Sequence, residues 1–303
     1  MEELKSYFIR HTNKILVSAD AIKKIFAENK VAIHFPGSGK EDSKSINLKD
    51  YDKPGDRRAI KCFKELSENG GYIWAEYYTC PKEVKIGKVK PNTKVGYIET
   101  KWSKDFENPK RKKGDRAILK MLQMENVITL KKGEVMELVA ARPRMCTITK
   151  WKNIKGRLKY YVEGIPIHEN WDSLTTEQQE AVCAEYLRNP DIENCPKLDF
   201  LLLPIGRTLQ DIDIYGCASD GKKIFAQVTY ENIDSNGCRQ KLEKLKKFSG
   251  KENHLILFCN CENKDEKDDV LIIPVKKVFE WLKKNEKFFD SVFPSSKLTT
   301  TLL

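Results

Sequence analysis

The sequence predicts two domains of mixed secondary structure, an α+β first half followed by an α/β second half. Residues 1–150 consist mainly of short strand-like segments separated by proline and glycine. Residues 171–288 alternate helical and strand patterns, which is typical of a sheet packed between helices. The 303 residues are enough for two ordinary domains. We expect them at 1–155 and 172–303, joined by a linker at 156–171.

In the first half, one helix is expected at 56–68, where Ala59, Phe63 and Leu66 share a face and Asn69-Gly70 provides a stop. The remaining apolar runs alternate or are rich in β-branched and aromatic residues, as in strands. Many short strands with one or two helices favour a small barrel or a strongly bent sheet. The expected strands lie at 15–17, 31–33, 71–78, 83–90, 94–100, 127–130, 135–140 and 146–151.

In the second half, a helix is expected at 173–187, capped by Ser173 or Thr175. Asp220-Gly221 predicts a tight hairpin between two strands. A helix at 237–248 has apolar residues on one face and lysines on the other. The expected strands lie at 198–205, 211–217, 223–230, 254–259 and 270–274, and a last helix lies at 275–288.

Charge is distributed unevenly along the chain. Residues 1–150 contain 32 Lys and Arg against 20 Asp and Glu, a net of +12, and residues 151–303 contain 23 against 24, a net of −1. A one-sided basic excess is typical of polyanion binding. No apolar run reaches the roughly 20 residues of a membrane span. The first residues are charged and precede no apolar signal region, so we expect a cytoplasmic protein without a membrane partner.

The predicted 211–230 hairpin carries the residues suited to chemistry. Asp211 and Asp213 are two apart and share one face of a strand, as do Gln227 and Thr229 on its partner. Antiparallel pairing brings the two faces towards one point. A purely structural alternative stays open, in which the acids are strand-edge charges and Gln227 is an ordinary cross-strand partner.

Through these residues the second half resembles the PD-(D/E)XK, or restriction-endonuclease-like, superfamily, and within it the Mrr-type restriction endonucleases. The resemblance implies a metal-binding role for Asp213, the family's glutamine at Gln227, and Glu185 as a further ligand. Asp211 is a further candidate catalytic residue. The implied reaction is phosphodiester hydrolysis, with Mg²⁺, or Mn²⁺ in its place, held by Asp213 and the carbonyl of Val228.

At one position the sequence departs from that family. Thr229 stands where the family has a lysine that activates water, and a hydroxyl cannot replace an ammonium electrostatically. Lys222, Lys223 or a lysine of helix 237–248 could reach the site instead. An active nuclease and a catalytically silent nuclease fold are both compatible with this departure.

Basic and aromatic residues are interleaved in the first half. Twelve basic residues lie between Lys82 and Arg116, and Trp74 and Trp102 lie within or near this stretch. Lysine and arginine attract phosphates, and aromatic rings can stack on unpaired bases. The combination resembles the small PUA-like barrels, including the EVE and SRA types, some of which bind a flipped modified base. Core packing is the alternative for each aromatic ring. The densest basic run is Lys110, Arg111, Lys112 and Lys113.

The segment 35–40, with its Gly37-Ser38-Gly39-Lys40, looks like a phosphate loop. The full motif needs a glycine at the position of His34 and a hydroxyl at that of Glu41. An ordinary turn is therefore the default, and a nucleotide-driven ATPase is the minor alternative.

Together these features predict a DNA-binding protein of the restriction or defence type. The first domain would recognise DNA, with a modified base as one option, and the second would act as a Mg²⁺-dependent endodeoxyribonuclease. The sequence leaves the oligomeric state open, with a homodimer as one option because double-strand cutting by this fold commonly needs two copies. The alternative is a non-enzymatic reader of nucleic acid, with RNA still open, whose second domain binds a partner.

Overall fold

The computed structural model describes residues 4–35, 44–105, 112–143, 146–202 and 211–293. The chain divides into two compact units, Met1–Ile167 and His168–Leu303. The division falls inside the stretch 156–171, which we expected to be a linker. Within that stretch, Arg157–Glu163 forms a helix whose Leu158 lies in a core of the first unit. Apolar burial therefore assigns this helix to the first unit.

The first unit contains two sheets and several helices among its described residues. Its helices are α1 (Ala19–Ala27), α2 (Pro54–Asn69), α3 (Met136–Ala141) and α4 (Arg157–Glu163). Its strands are β1 (Ser6–His11), β2 (Lys30–Ile33), β3 (Gly71–Tyr77), β4 (Glu83–Val89), β5 (Gly96–Lys101), β6 (Arg116–Gln123), β7 (Glu125–Lys131) and β8 (Ile148–Lys150).

The strands of this unit form two open sheets. The larger has the order β7-β4-β3-β1-β8 with β1 and β3 parallel, and the smaller has the order β2-β6-β5. The expected mixture of helices and strands is confirmed. The expected closed barrel is not found among the described strands, because the chain distributes them between two separate sheets.

The larger sheet is covered on both faces. One core contains Ile73, Ala75 and Tyr77 of β3 together with residues of α1, α2 and the smaller sheet. The other contains Tyr72 and Trp74 together with residues of α3 and α4. All seven residues of β3 are consequently buried, which is the pattern of a central strand between two layers.

Several elements of the first unit differ from the expectation. Helix α2 is confirmed, with Ala59, Phe63 and Leu66 buried. The expected strand at 135–140 is wrong, because Met136–Ala141 is helical and buries Leu138. The expected strand at 15–17 is a short 3₁₀ turn, Asn13–Ile15, followed by a single bridge between Val17 and Trp102. Elements α1, β1, β6 and α4 had not been anticipated.

The second unit is a six-stranded sheet with the order β13-β14-β12-β11-β10-β9. Strands β9, β10 and β11 are antiparallel, and β11, β12 and β14 are parallel. Its strands are β9 (Leu198–Leu201), β10 (Ile214–Ala218), β11 (Lys223–Asn232), β12 (Asn253–Asn260), β13 (Asp265–Lys267) and β14 (Val270–Pro274). Its helices are α5 (Thr176–Arg188), α6 (Asn236–Lys246), α7 (Val275–Lys284) and α8 (Glu286–Val292).

Helices cover both faces of this sheet. On β12, Leu255, Leu257 and Cys259 pack in a core with α6. The intervening Phe258 instead meets Tyr186 of α5, with ring centroids 6.5 Å apart. Alternate side chains of one strand therefore face different helices, which makes a three-layer arrangement.

The local signals of the second unit explain its helices. Thr175, rather than Ser173, caps α5: its hydroxyl accepts from the Gln178 amide at 3.2 Å, and the Gln178 side chain accepts from the Thr175 amide at 3.0 Å. Helix α6 buries Cys238, Leu242 and Leu245, as the apolar spacing predicts.

Gly216 permits a close approach of two strands. A Cβ added there would lie 2.4 Å from the carbonyl oxygen of Phe200 in β9, so a side chain at this position would push the strands apart. In the described part of the chain, no helix has both the length and the apolar character needed to cross a membrane.

His11, the last residue of β1, should make the folded first unit less stable in acid. Its ring is fully buried and stacks on Tyr77 at 4.4 Å. Its Nε2 accepts from the amide of Ala32 at 3.0 Å, so its Nδ1 carries the proton donated to the Glu76 carbonyl at 2.9 Å. Burial lowers the pKa of His11 to about 4. The neutral ring is therefore favoured by folding.

We expect the full chain to lose about 2 kcal/mol of unfolding free energy through His11 between pH 7 and pH 5. As pH falls through about 6.5, the unfolded state takes up a proton that the folded state accepts only near pH 4. Urea unfolding at both pH values measures the loss, and His11→Gln should show a smaller one. An equal pH dependence in both proteins would contradict this account of His11.

Candidate active site

Asp213 lies at the point where the chain enters strand β10. That strand pairs with β11 so that Ile214 faces Ala226. The Asp213 Oδ2 accepts from the backbone amide of Val228 at 2.8 Å. The carboxylate is thus anchored to the neighbouring strand, beside the peptide that the sequence predicts to bind metal.

Gln227 joins the same two strands from the other side of the hairpin. Its side chain is 3% exposed, and its Nε2 donates to the backbone carbonyl of Asp211. The structure therefore brings together Asp213 and Val228 and places Gln227 beside the backbone of Asp211. Asp211 and Asp213 precede β10, so they lie outside the regular strand that was expected at 211–217. The amide of Gln227 acts as a strand-to-strand link that positions the segment containing both acids.

Lys241 of α6 supplies a positive charge at this point. Its ammonium donates to Asp213 Oδ2 at 3.2 Å and to the Val228 carbonyl oxygen at 2.5 Å. These are the two oxygens predicted to hold a divalent cation. The sequence left open whether a lysine of this helix reaches the site, and the geometry identifies Lys241 as that residue.

The position of Lys241 follows from the way α6 begins and packs. Ser235 caps the helix through a hydrogen bond from the Cys238 amide at 3.0 Å. The buried Cys238 and Leu242 fix the rotation of the helix, and Lys241 lies between them at the edge of the packed face. Its side chain remains 31% exposed, so the stem can reach the hairpin while the site stays open to solvent.

A second set of charges extends the site along α6. Lys244 lies 2.9 Å from Asp211 Oδ1, and Lys247 lies 4.0 Å from Asp211 Oδ2. The hydrogen bond from Lys244 lowers the pKa of Asp211. Lysines 241, 244 and 247 are spaced by three residues, so they follow one edge of the helix past both acids.

Thr229, which by the resemblance stands in the position of the family's lysine, makes a local contact within β11. Its hydroxyl accepts from the Glu231 amide at 3.2 Å, and the side chain is 9% exposed. The predicted catalytic position of Thr229 is thus taken up by a backbone contact. A lysine ammonium is nevertheless present beside Val228, that of Lys241, twelve residues later in the chain.

The predicted ligand Glu185 points away from the site. Its carboxylate pairs with Arg188 at 3.2 Å on the surface of α5. Cys183, two residues earlier, is fully buried; burial raises the pKa of its thiol, with the charges of Asp213 and Glu180 as further causes. Residues two apart on a helix differ by about 200° in direction. Glu185 therefore faces away from the Cys183 side of α5, which is the side where the charge of Asp213 acts on the thiol. Glu180, one turn before Cys183, is the α5 carboxylate on the Asp213 side.

Two further features bear on where chemistry can occur. Within the described ranges, no group of three or more His, Cys, Asp or Glu side chains is arranged to hold a metal ion. A separate cleft is lined by Asn194, Ser249, His254 and Glu266, among others. It lies at the start of β12, the opposite end of the sheet from Val228, so it is distinct from the hairpin site.

The two tryptophans proposed to contact bases are core residues. Trp74 is 0% exposed, with its ring 5.7 Å from that of Trp151 and its Nε1 donating to Glu76 at 3.2 Å. Trp102 is 5% exposed and packs edge-on against His34. Both side chains thus adopt the core-packing alternative: the sheet that carries Trp74 is covered on both faces, and Trp102 packs in the same core as Ile98 and Leu119.

The basic run is only partly described. Lys110 and Arg111 lie outside the described residues, as do residues 36–40 of the segment that looks like a phosphate loop. Lys112 and Lys113 are exposed, and their backbone amides donate to Asp115 at 2.7 Å and to Asp105 at 2.6 Å. Two carboxylates therefore bind the backbone of this segment.

Comparison of the chain with models of protein families, with curated proteins and with solved structures finds no match.

Core burial of Trp74 leads to a test by substitution. We expect Trp74→Ala to lower the unfolding free energy by about 3–5 kcal/mol, because it empties a large volume between two packed layers. Urea unfolding measures this, with the partly exposed Tyr97→Ala as the control that should cost less. A Trp74→Ala protein of wild-type stability that had lost affinity for DNA would restore the base-contact interpretation.

Proposed function

We propose that the second unit hydrolyses phosphodiester bonds in DNA with the help of Mg²⁺, for which Mn²⁺ can substitute. The observation that carries this proposal is the convergence of the Asp213 carboxylate, the Val228 carbonyl and the Lys241 ammonium. Two oxygen donors beside a lysine provide both a cation site and a positive charge for a phosphate.

The order of elements supports the same proposal. The chain runs α5, β9, β10, β11, α6, β12, and the acids lie where β10 begins. This is the helix, hairpin, helix, strand order of the restriction-endonuclease-like core that the hairpin sequence resembles. By that resemblance, Asp213 and Gln227 would take the places of the family's metal-binding Asp and of its Gln.

The donor set fits a divalent cation. Asp213 Oδ2 and the Val228 carbonyl oxygen already hold a cation, the ammonium of Lys241. Both are hard oxygen donors of the kind that Mg²⁺ prefers, and Mg²⁺ commonly uses only one or two carboxylates and completes its shell with water. When bound, the metal would lower the pKa of a water and neutralise charge on the phosphate.

The side chains of this chain would bind and orient the reacting groups. An ammonium has three N–H donors, and the contacts to Asp213 and Val228 use two of them. Turned outwards on its flexible stem, Lys241 would donate to a phosphate oxygen or hold the attacking water. Gln227 keeps the Asp211–Asp213 segment in register with β11 through its bond to the Asp211 carbonyl.

The first unit would supply affinity for DNA through its basic excess. Residues 1–150 carry a net charge of +12 and the second half carries −1, so phosphate attraction would come chiefly from the first unit. A PUA-like role with a modified base, and pairing of two chains for double-strand cutting, remain part of this proposal.

A reader without hydrolytic activity is the second candidate function. The same contacts favour it, because a lysine bonded to both oxygens can replace a metal permanently. The buried Thr229 at the family's lysine position points the same way. In that case the second unit would bind nucleic acid or a partner without cutting.

Hydrolysis is tested by incubating the full chain with plasmid DNA, modified or plain, and Mg²⁺ or Mn²⁺. We expect cleavage that Asp213→Asn abolishes and that Lys241→Met slows by about 100-fold or more, because a charge at the phosphate is lost. Lys246→Met is the matched control, since Lys246 lies on the same helix with the same 31% exposure but pairs with Glu243 and Asp268. Absence of cleavage by the wild type under all of these conditions would favour the reader.

Metal binding provides an independent measurement. Lys241 and a metal would compete for the same two oxygens, so Lys241→Met should bind Mn²⁺ about tenfold more tightly than the wild type. Isothermal titration calorimetry or Mn²⁺ electron paramagnetic resonance can report this without any substrate. Equal affinity in the wild type, Lys241→Met and Asp213→Asn would place the metal elsewhere.

A further inference from the structure

The Glu76 carboxylate, on β3 of the first unit, lies close to three cationic side chains. The Glu76 side chain is 8% exposed. Its Oε1 accepts from Arg142 Nη1 at 2.9 Å, and its Oε2 lies 3.6 Å from Lys132 Nζ and 3.8 Å from Arg10 Nε. Trp74 Nε1 also donates to Oε1 at 3.2 Å, which fixes the rotamer of the carboxylate from inside the core.

Separate elements converge to build this cluster. Arg10 and Glu76 are paired on the parallel strands β1 and β3, Lys132 follows β7, and Arg142 is the residue that ends α3. Arg10 is held further by a bond from Nη2 to the Pro143 carbonyl at 2.7 Å and by the face of Phe8 at 5.1 Å. The cations are thus placed by the packed fold, and they do not belong to one flexible loop.

Cations outnumber carboxylates in the ion pairs of this cluster. In the described part of the chain, Arg10, Lys132 and Arg142 lie around one carboxylate, that of Glu76. The cationic side chains are 21–36% exposed, so they reach solvent although the carboxylate beneath them is buried. Guanidinium groups held in fixed directions bind phosphate by paired hydrogen bonds, and an added anion would relieve the repulsion between them.

We propose that Arg10, Lys132 and Arg142, organised by Glu76, bind a backbone phosphate of a nucleic acid strand. This inference rests on the proposed DNA binding and gives it a location. Of the run at 110–113, only Lys112 and Lys113 are described, and the carboxylates of Asp115 and Asp105 bind their backbone amides. The overall basic excess of this half favours a polymer, whose successive phosphates add to the affinity, over a single small anion.

The test uses the full chain and a fluorescent DNA duplex in the presence of a chelator, so that binding is measured without cutting. We expect the double variant Lys132→Gln, Arg142→Gln to weaken binding about tenfold at low salt. Its slope of log affinity against log salt should be shallower by about 0.9, the value for one lost phosphate contact. Lys64→Gln, which removes an exposed lysine paired with Glu68 on α2, should leave both quantities unchanged.

Separate controls distinguish misfolding of the variants, and binding of a small anion, from loss of a DNA contact. Arg142→Lys keeps the charge and should retain more affinity than Arg142→Gln, and thermal unfolding of each variant identifies any loss due to misfolding. Variants that are folded and bind like the wild type would overturn the phosphate site and leave DNA binding intact. A wild type that does not bind DNA would remove both. Displacement of the duplex by millimolar inorganic phosphate would indicate a small-anion site instead.

Discussion

The ammonium of Lys241 between Asp213 and Val228 is the contact on which the second unit depends. It joins the segment that leads into β10, the strand β11 that carries Gln227 and the helix α6 that follows. Asp213 also accepts from the Val228 amide. The Asp213 carboxylate therefore contacts the N–H of Val228 directly and the carbonyl of Val228 through Lys241. Since an ammonium and a divalent cation favour the same oxygen donors, this contact decides between a metal-dependent hydrolase and a metal-free reader.

In both units, carboxylates fix the positions of cations that belong to other elements of the fold. Glu76 holds Arg10, Lys132 and Arg142 in the first unit, and Asp211 and Asp213 hold lysines of α6 in the second. Exposed ion pairs contribute little to stability. The main effect of such an arrangement is to hold the cationic groups in fixed orientations. Cations that are fixed in place lose less freedom when a phosphate binds. A strand of DNA would then meet prearranged charges in each unit.

Sequence patterns predicted the elements with strong periodicity and missed those set by tertiary packing. The apolar faces of α2 and α6 and the hairpin at Asp220-Gly221 were foreseen from spacing alone. The segment Met136–Ala141 was expected as a strand, because a short apolar run fits either period. Trp74 was assigned to a base contact on the assumption of one solvated face, but its sheet is covered on both. Lys241 could not be chosen among the lysines of α6 without knowing how that helix rotates against β11.

The measurement that tests this account most directly is a crystal structure of the full chain soaked with Mn²⁺, with anomalous differences used to locate the metal. The account predicts a peak bonded to Asp213 Oδ2 and to the Val228 carbonyl oxygen, with the Lys241 ammonium moved away from both. A map without a peak at these oxygens, and with Lys241 still bonded to them, would contradict the metal-dependent mechanism.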